Sequence, residues 1–251
     1  MTDRMLEGKA AVVTGSSRGI GSAIAELLGR AGADVVVNYH SDARAAARVV
    51  STIVGAGSRA VAVQADVRDP SDCARLVDSA LDAFGGVDIL VSNASISFPV
   101  APVLELDWDE VAAKLTGEMG AAFCICKAAA PHMLERGGDI VLISSGMSRV
   151  PIRGFAAHGS AKAALTALGR YLAVELAPNG VRVNVVAPGL VLSDATRNHS
   201  PEYHELIRSA TPSGRISLPE DVAGAVLGVL NPWNRQMVGA YIPVNGGIDI
   251  V

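Results

Sequence analysis

The sequence predicts a doubly wound, parallel α/β fold of about seven strands with helices on both faces, and three observations carry that prediction. Short β-branched runs alternate with helix-length segments along the whole chain. Several runs are apolar at every position instead of every second one, as expected of strands covered on both faces. Half of the 251 residues are apolar and only 18% are charged, enough for a large core. No Pro/Gly/Ser-rich linker or charge block divides them, so residues 1–251 read as one domain.

In chain order, strands are expected at 10–14, 34–39, 60–64, 88–91, 139–143, 181–186 and 240–244. Helices are expected at 22–31, 42–54, 71–84, 156–177 and 219–230, with Ser71 and Pro219 suited to helix starts. The stretch near 190–215 reads as a loop over the substrate. Ligands of such sheets sit beyond the carboxyl ends of the strands.

A net charge of −4 with no basic stripe argues against a nucleic-acid partner. No apolar segment approaches the roughly 18 residues that span a bilayer, and the first residues show no signal pattern, so a cytoplasmic protein without a membrane partner is expected. Cys73, Cys124 and Cys126 lack metal-like spacing and read as packing residues; His40, His132, His199 and His204 likewise have no ligand partners at metal spacing, and no metal is expected.

Directly after the first strand comes Thr14-Gly15-Ser16-Ser17-Arg18-Gly19-Ile20-Gly21, followed at once by a helical run. Gly15 suits a tight turn, Gly19 lets backbone approach a pyrophosphate, and Gly21 allows helix to pack on strand, while the helix N-terminus attracts negative charge. Gly15, Ser17, Arg18, Gly19, Ile20 and Gly21 are therefore candidate dinucleotide contacts. The second strand ends Asn38-Tyr39-His40-Ser41, without the acidic side chain that an NAD-preferring protein offers the ribose. With Arg18, Asn38 and Ser41 nearby, a 2′-phosphate can be accommodated, and NADP(H) is favoured over NAD(H).

This glycine turn, together with Asp66-Val67, Ser92-Asn93-Ala94, Ile143-Ser144-Ser145, Lys162, and Asn184 through Pro188-Gly189, resembles the short-chain dehydrogenase/reductase family, nearest its 3-oxoacyl carrier-protein reductase branch. The resemblance spans almost the whole chain, in order. It implies a Rossmann-type sheet in which Asp66 and Val67 hold adenine, Asn93 and Ala94 line the cofactor, and Pro188 and Gly189 flank the nicotinamide. It also implies Ser145 at the substrate oxygen, Lys162 at the nicotinamide ribose, and a homo-oligomer, tetramer or dimer, packed through the helices containing 118–130 and 156–177. Ser95, Phe98, Met147, Phe155, Leu190 and Tyr203 come from loops that the fold places around the substrate.

Three positions depart from the family pattern. Thirteen residues after Ser145 and four before Lys162, where the family carries tyrosine, stands His158. Thirteen residues before Pro131, where the family carries an asparagine, stands Glu118. Ser95 replaces the glycine expected after Asn93-Ala94. A phenol of pKa near 10 becomes an imidazole near 6.5, which the Lys162 ammonium should lower further, leaving a proton acceptor that is a poor acid unless Glu118 or substrate intervenes.

The leading expectation is an NADP(H)-dependent oxidoreductase passing hydride between nicotinamide and a carbonyl/alcohol pair, on a small or carrier-bound substrate, with Ser145, His158, Lys162 and Glu118 at the reacting end. The alternatives are non-redox chemistry such as dehydration or cyclisation, and a nucleotide-binding pseudoenzyme.

Overall fold

The structure, a computed structural model, describes residues 4–194, 196–197 and 200–249; of the histidines considered above, His199 lies outside them. Seven parallel strands form one sheet: β1 (Ala10–Val13), β2 (Asp34–Tyr39), β3 (Ala60–Gln64), β4 (Ile89–Ser92), β5 (Gly138–Ile143), β6 (Val181–Pro188) and β7 (Tyr241–Val244). Their order is β3-β2-β1-β4-β5-β6-β7, with the direction of growth reversing beside β1.

Side chains on successive strand residues enter cores on opposite faces, which explains the uninterrupted apolar runs. Ala11, Val13, Val35, Val37, Val141 and Ile143 pack with Ile24 and Leu28 of α1 (Gly19–Arg30) and with Val222 and Val226 of α7 (Pro219–Val229). Val12, Val36, Ile140 and Leu142 face the other way, toward Leu76 of α3 (Pro70–Phe84), Ile125 of α4 (Trp108–Ala129) and Leu165 of α5 (Ala156–Leu176). The remaining helices are α2 (Ala43–Gly55), capped by the Asp42 carboxylate accepting from Ala45 N, and α6 (Pro201–Ala210).

Helix α6 falls inside the stretch near 190–215 expected as a loop, and two further differences from the sequence expectation have physical causes. Helix α1 begins at Gly19, not residue 22, because the glycine turn passes directly into the helix. Helix α4 extends back to Trp108 across a region with no clean apolar period, because Lys114 and Glu118 lie on its buried face. Cys73 and Cys126 are buried free thiols, each pushed up to about 12 by burial. Among the described residues, no helix is long and apolar enough to cross a membrane and no three His, Cys, Asp or Glu residues are grouped as metal ligands.

Helix α5, which carries His158 and Lys162, lies close on the sheet. A Cβ at Gly169 would stand 2.8 Å from Val185 and 3.0 Å from Leu142. Leu142 is fully buried in this contact layer. Leu142→Ala is expected to lower stability by about 2–5 kcal/mol, read as a reduced urea midpoint with an unchanged slope.

Candidate active site

The turn after β1 is held open by hydrogen bonds that any side chain on it would disturb. Gly15 and Gly19 take φ of 61° and 59°, values that glycine adopts without the Cβ penalty. Asn38 Oδ1 accepts from Gly15 N at 2.9 Å while its Nδ2 donates to Ala65 O at 3.1 Å. The Asn38 amide thus braces the turn. Thr14 Oγ1 accepts from Asn93 N and Ala94 N at 2.9 and 3.0 Å, and Asn93 Nδ2 donates to Thr14 O at 2.9 Å. These bonds tie the loop after β4 to the turn.

All the residues expected at the adenosine and pyrophosphate end share one cavity of about 500 Å³ at the carboxyl edge of the sheet. Gly15, Ser17, Arg18, Gly19, Ile20 and Gly21 line one part of it, Asn38, Ser41, Asp66 and Val67 another, and Asn93, Ala94 and Ser95 a third. Glycines with no Cβ at the turn, beside the N-terminus of α1, fit a dinucleotide pyrophosphate. His40 and Arg68, not singled out from the sequence, also line the cavity; their places just beyond the ends of β2 and β3 were the available signal. Arg68 clamps Asp66 at 2.5 Å, with His40 Nε2 3.8 Å away, and this hydrogen-bonded guanidinium is the main reason the carboxyl is held at about 2.

At the reacting end, Ser145 follows β5 and its Oγ accepts from Met147 N at 3.2 Å in the short 3₁₀ turn Gly146–Ser148. Tyr241 OH donates to Ser145 O at 3.4 Å, linking this turn to β7. His158 and Lys162 lie one turn apart on α5, a spacing that puts both on the same side of the helix. Lys162 Nζ donates to Ile143 O at 2.8 Å and pairs with Glu118 Oε1 at 2.5 Å.

Glu118 is not the partner of His158. Its Oε2 accepts from Lys114 Nζ at 2.6 Å, Ile96 N at 3.1 Å and Ser95 Oγ at 3.2 Å, so the carboxylate lies between two lysines. Burial pushes the Glu118 carboxyl up, but the Lys162 and Lys114 ammoniums outweigh it and hold the group at about 2. Lys114 carried no signal in the sequence, since a lysine inside a helix ordinarily reads as a solvated charge.

His158 stacks on Phe98 with ring centroids 4.4 Å apart, and Phe98 meets Phe155 at 6.1 Å. Its Nδ1 is buried and has no hydrogen-bond partner among the described residues. Burial, more than Lys162 and then Lys114, lowers the imidazole to about 3, with Glu118 opposing weakly. The lowering expected from Lys162 is therefore present but second to desolvation.

Met147 and Phe155 line a second cavity of about 610 Å³ together with Ile152, Arg149 and Arg153. Pro188 closes β6, and Gly189 N donates to Val244 O at 3.1 Å with Asn245 packed where a Cβ would sit. Leu190 follows them and Tyr203 lies on α6; neither lines the two cavities.

Comparisons with known proteins match almost the whole chain. Residues 15–249 match the family described as Enoyl-(Acyl carrier protein) reductase. An oxidoreductase of Methylorubrum extorquens is 39% identical over 246 residues, 97% of this chain and 98% of that protein. A short-chain dehydrogenase from Burkholderia cenocepacia, solved in complex with NADP, is 38% identical with a TM-score of 0.91, covering 98% of this chain and 100% of that one. A 7α-hydroxysteroid dehydrogenase, solved with NADH and 7-oxo glycochenodeoxycholic acid, is 33% identical with a TM-score of 0.92, covering 98% and 96%.

A Cβ on Gly21 would come within 2.4 Å of Gly15 O and 2.5 Å of Asn93 Nδ2. Gly21→Ala is therefore expected to weaken dinucleotide binding more than tenfold while the far-ultraviolet dichroism stays that of the parent, a result that titration calorimetry checks directly.

Proposed function

Since the chain belongs to the short-chain dehydrogenase/reductase family, we propose that it is an NADP(H)-dependent oxidoreductase acting on a carbonyl/alcohol pair. The observation that carries this reading is the buried imidazole of His158, unpartnered at Nδ1 and one helical turn from Lys162, at the sheet edge that also carries the dinucleotide cavity. Nicotinamide bound there supplies or receives the hydride. Ser145 Oγ orients the substrate oxygen from the carboxyl end of β5. Lys162, which donates to Ile143 O and is ion-paired with Glu118, would hold the nicotinamide ribose with a remaining N–H.

His158 handles the proton. With its pKa near 3, the ring is neutral across the physiological range, so it takes the hydroxyl proton when an alcohol is oxidised. In reduction the imidazolium must give that proton back. Its population falls tenfold for each pH unit above the pKa, so reduction weakens as pH rises whereas oxidation stays level. Phe98, Phe155 and Met147 supply the apolar wall for the substrate body, with Ser95 and Leu190 on the flanking loops and Tyr203 on α6. The relatives' names, all for redox enzymes, favour this reading over dehydration, cyclisation or a pseudoenzyme. Self-association through α4 and α5 is consistent with the exposed Phe123, Tyr171 and Val174 on them.

NADP(H) preference rests on Arg18, His40 and Arg68 around the cavity and on the lack of an acidic residue at the end of β2. NADPH should bind more tightly than NADH, with Arg18→Ala removing most of the difference; equal dissociation constants in the parent would contradict this. For the proton step, His158→Ala is expected to lower turnover about 10²–10⁴-fold with NADPH affinity nearly unchanged. The parent's kcat/KM for ketone reduction should decline from pH 5 to 8 while that for alcohol oxidation stays flat. Unaltered turnover in His158→Ala over this range would refute the assignment.

A further inference from the structure

The site rests on a buried lysine that the sequence did not single out. Lys114 is 1% exposed, in the interior of α4, one turn before Glu118. An ammonium has three N–H donors, and Lys114 Nζ places all three: Ile96 O at 2.6 Å, Glu118 Oε2 at 2.6 Å and Ser95 Oγ at 3.2 Å. It has none left for a substrate or cofactor. The same Nζ stands 5.0 Å from the centroid of the Phe98 ring, which in turn stacks on His158 at 4.4 Å.

Lys114 therefore reaches the reacting groups by two routes. One passes through Glu118, whose other oxygen holds Lys162 at 2.5 Å. The other passes through Phe98, the ring on which the His158 imidazole rests. With two ammoniums and one carboxylate, the cluster carries a net charge of +1 beneath the imidazole. The charged groups acting on His158 are Lys162 from its own helix, and Lys114 and Glu118 from α4.

We propose that Lys114 is a positioning residue for this site: through Glu118 it fixes Lys162, through Phe98 it seats the ring of His158, and it sets a second ammonium beside that ring. The role deepens the oxidoreductase reading and rests on it for its catalytic meaning, but the charge relation holds whatever reaction the protein performs. Ser95 belongs to the same unit, since its hydroxyl accepts from Lys114 and donates to Glu118. The glycine-to-serine and asparagine-to-glutamate departures then make one cluster with Lys114, next to the histidine that replaces the tyrosine.

The test follows the His158 ring carbon resonance by NMR as pH is varied, in the parent, Lys114→Met, Glu118→Gln and the double variant, with no substrate present. Removing Lys114 takes the cluster from +1 to 0, removing the Glu118 charge takes it to +2, and removing both restores +1. With the titration carried down to about pH 2, the parent signal should be flat from pH 5 to 9 and show its inflection at about 3. Lys114→Met should move the His158 inflection upward by about one unit, Glu118→Gln should not raise it, and the double variant should return toward the parent. Turnover in Lys114→Met should fall about tenfold or more with NADPH affinity within about threefold of the parent. If Lys114→Met does not fold, Lys114→Gln, which keeps a donor for Ile96 O, carries the same expectations. An inflection that does not move in the folded Lys114 variant overturns the proposal; failure of the redox reading would instead appear as absent turnover in the parent with the NMR shifts intact.

Discussion

One carboxylate shared by two buried ammoniums sets the geometry of the reacting end. Glu118 joins α4 to α5 through Lys162 and joins α4 to the loop after β4 through Ile96 N and Ser95 Oγ. Taking three such charges out of water is expensive, and breaking one partnership in a buried cluster of this kind typically costs about 3–5 kcal/mol, because an unpaired charge stays behind. The cluster therefore specifies more than it stabilises. It ties Lys162, which also donates to Ile143 O at the end of β5, to α4.

That arrangement also governs the proton chemistry. An ammonium lowers the pKa of a neighbouring phenol toward neutral pH, whereas it lowers that of an imidazole away from neutral pH. Burial against Phe98 adds to the effect on His158 and is the larger cause. On the proposed reading, a histidine at this place is neutral over the whole physiological range and acts as an acid only in its small imidazolium fraction. The glycine turn beside this site is braced separately, by Asn38, Thr14 and Asn93.

The fold was legible because its signals are local. β-branched runs, glycine at Gly15, Gly19 and Gly21, and the spacing from Ser145 to Lys162 all survive as single-chain patterns, and the seven strands stand within two residues of their expected ends. What could not be read depends on distances between elements. Glu118 was visible as a departure, yet nothing along the chain says that its oxygens meet Lys114 and Lys162 instead of His158. Lys114 looks like any helical lysine until the helix is rotated onto the core. Asn38, expected beside a 2′-phosphate, turns out to spend its amide on Gly15 N and Ala65 O, a pairing between strands that sequence adjacency does not reveal.

The central claim, that this site moves a hydride between nicotinamide and a carbonyl carbon, is tested most directly by single-turnover reaction with NADPH deuterated at the transferring position and a panel of ketones. The account predicts loss of the reduced-nicotinamide absorbance one for one with deuterium appearing at the carbinol carbon of the product. Cofactor that binds but keeps its absorbance with every ketone, and gives no deuterated alcohol, would contradict it.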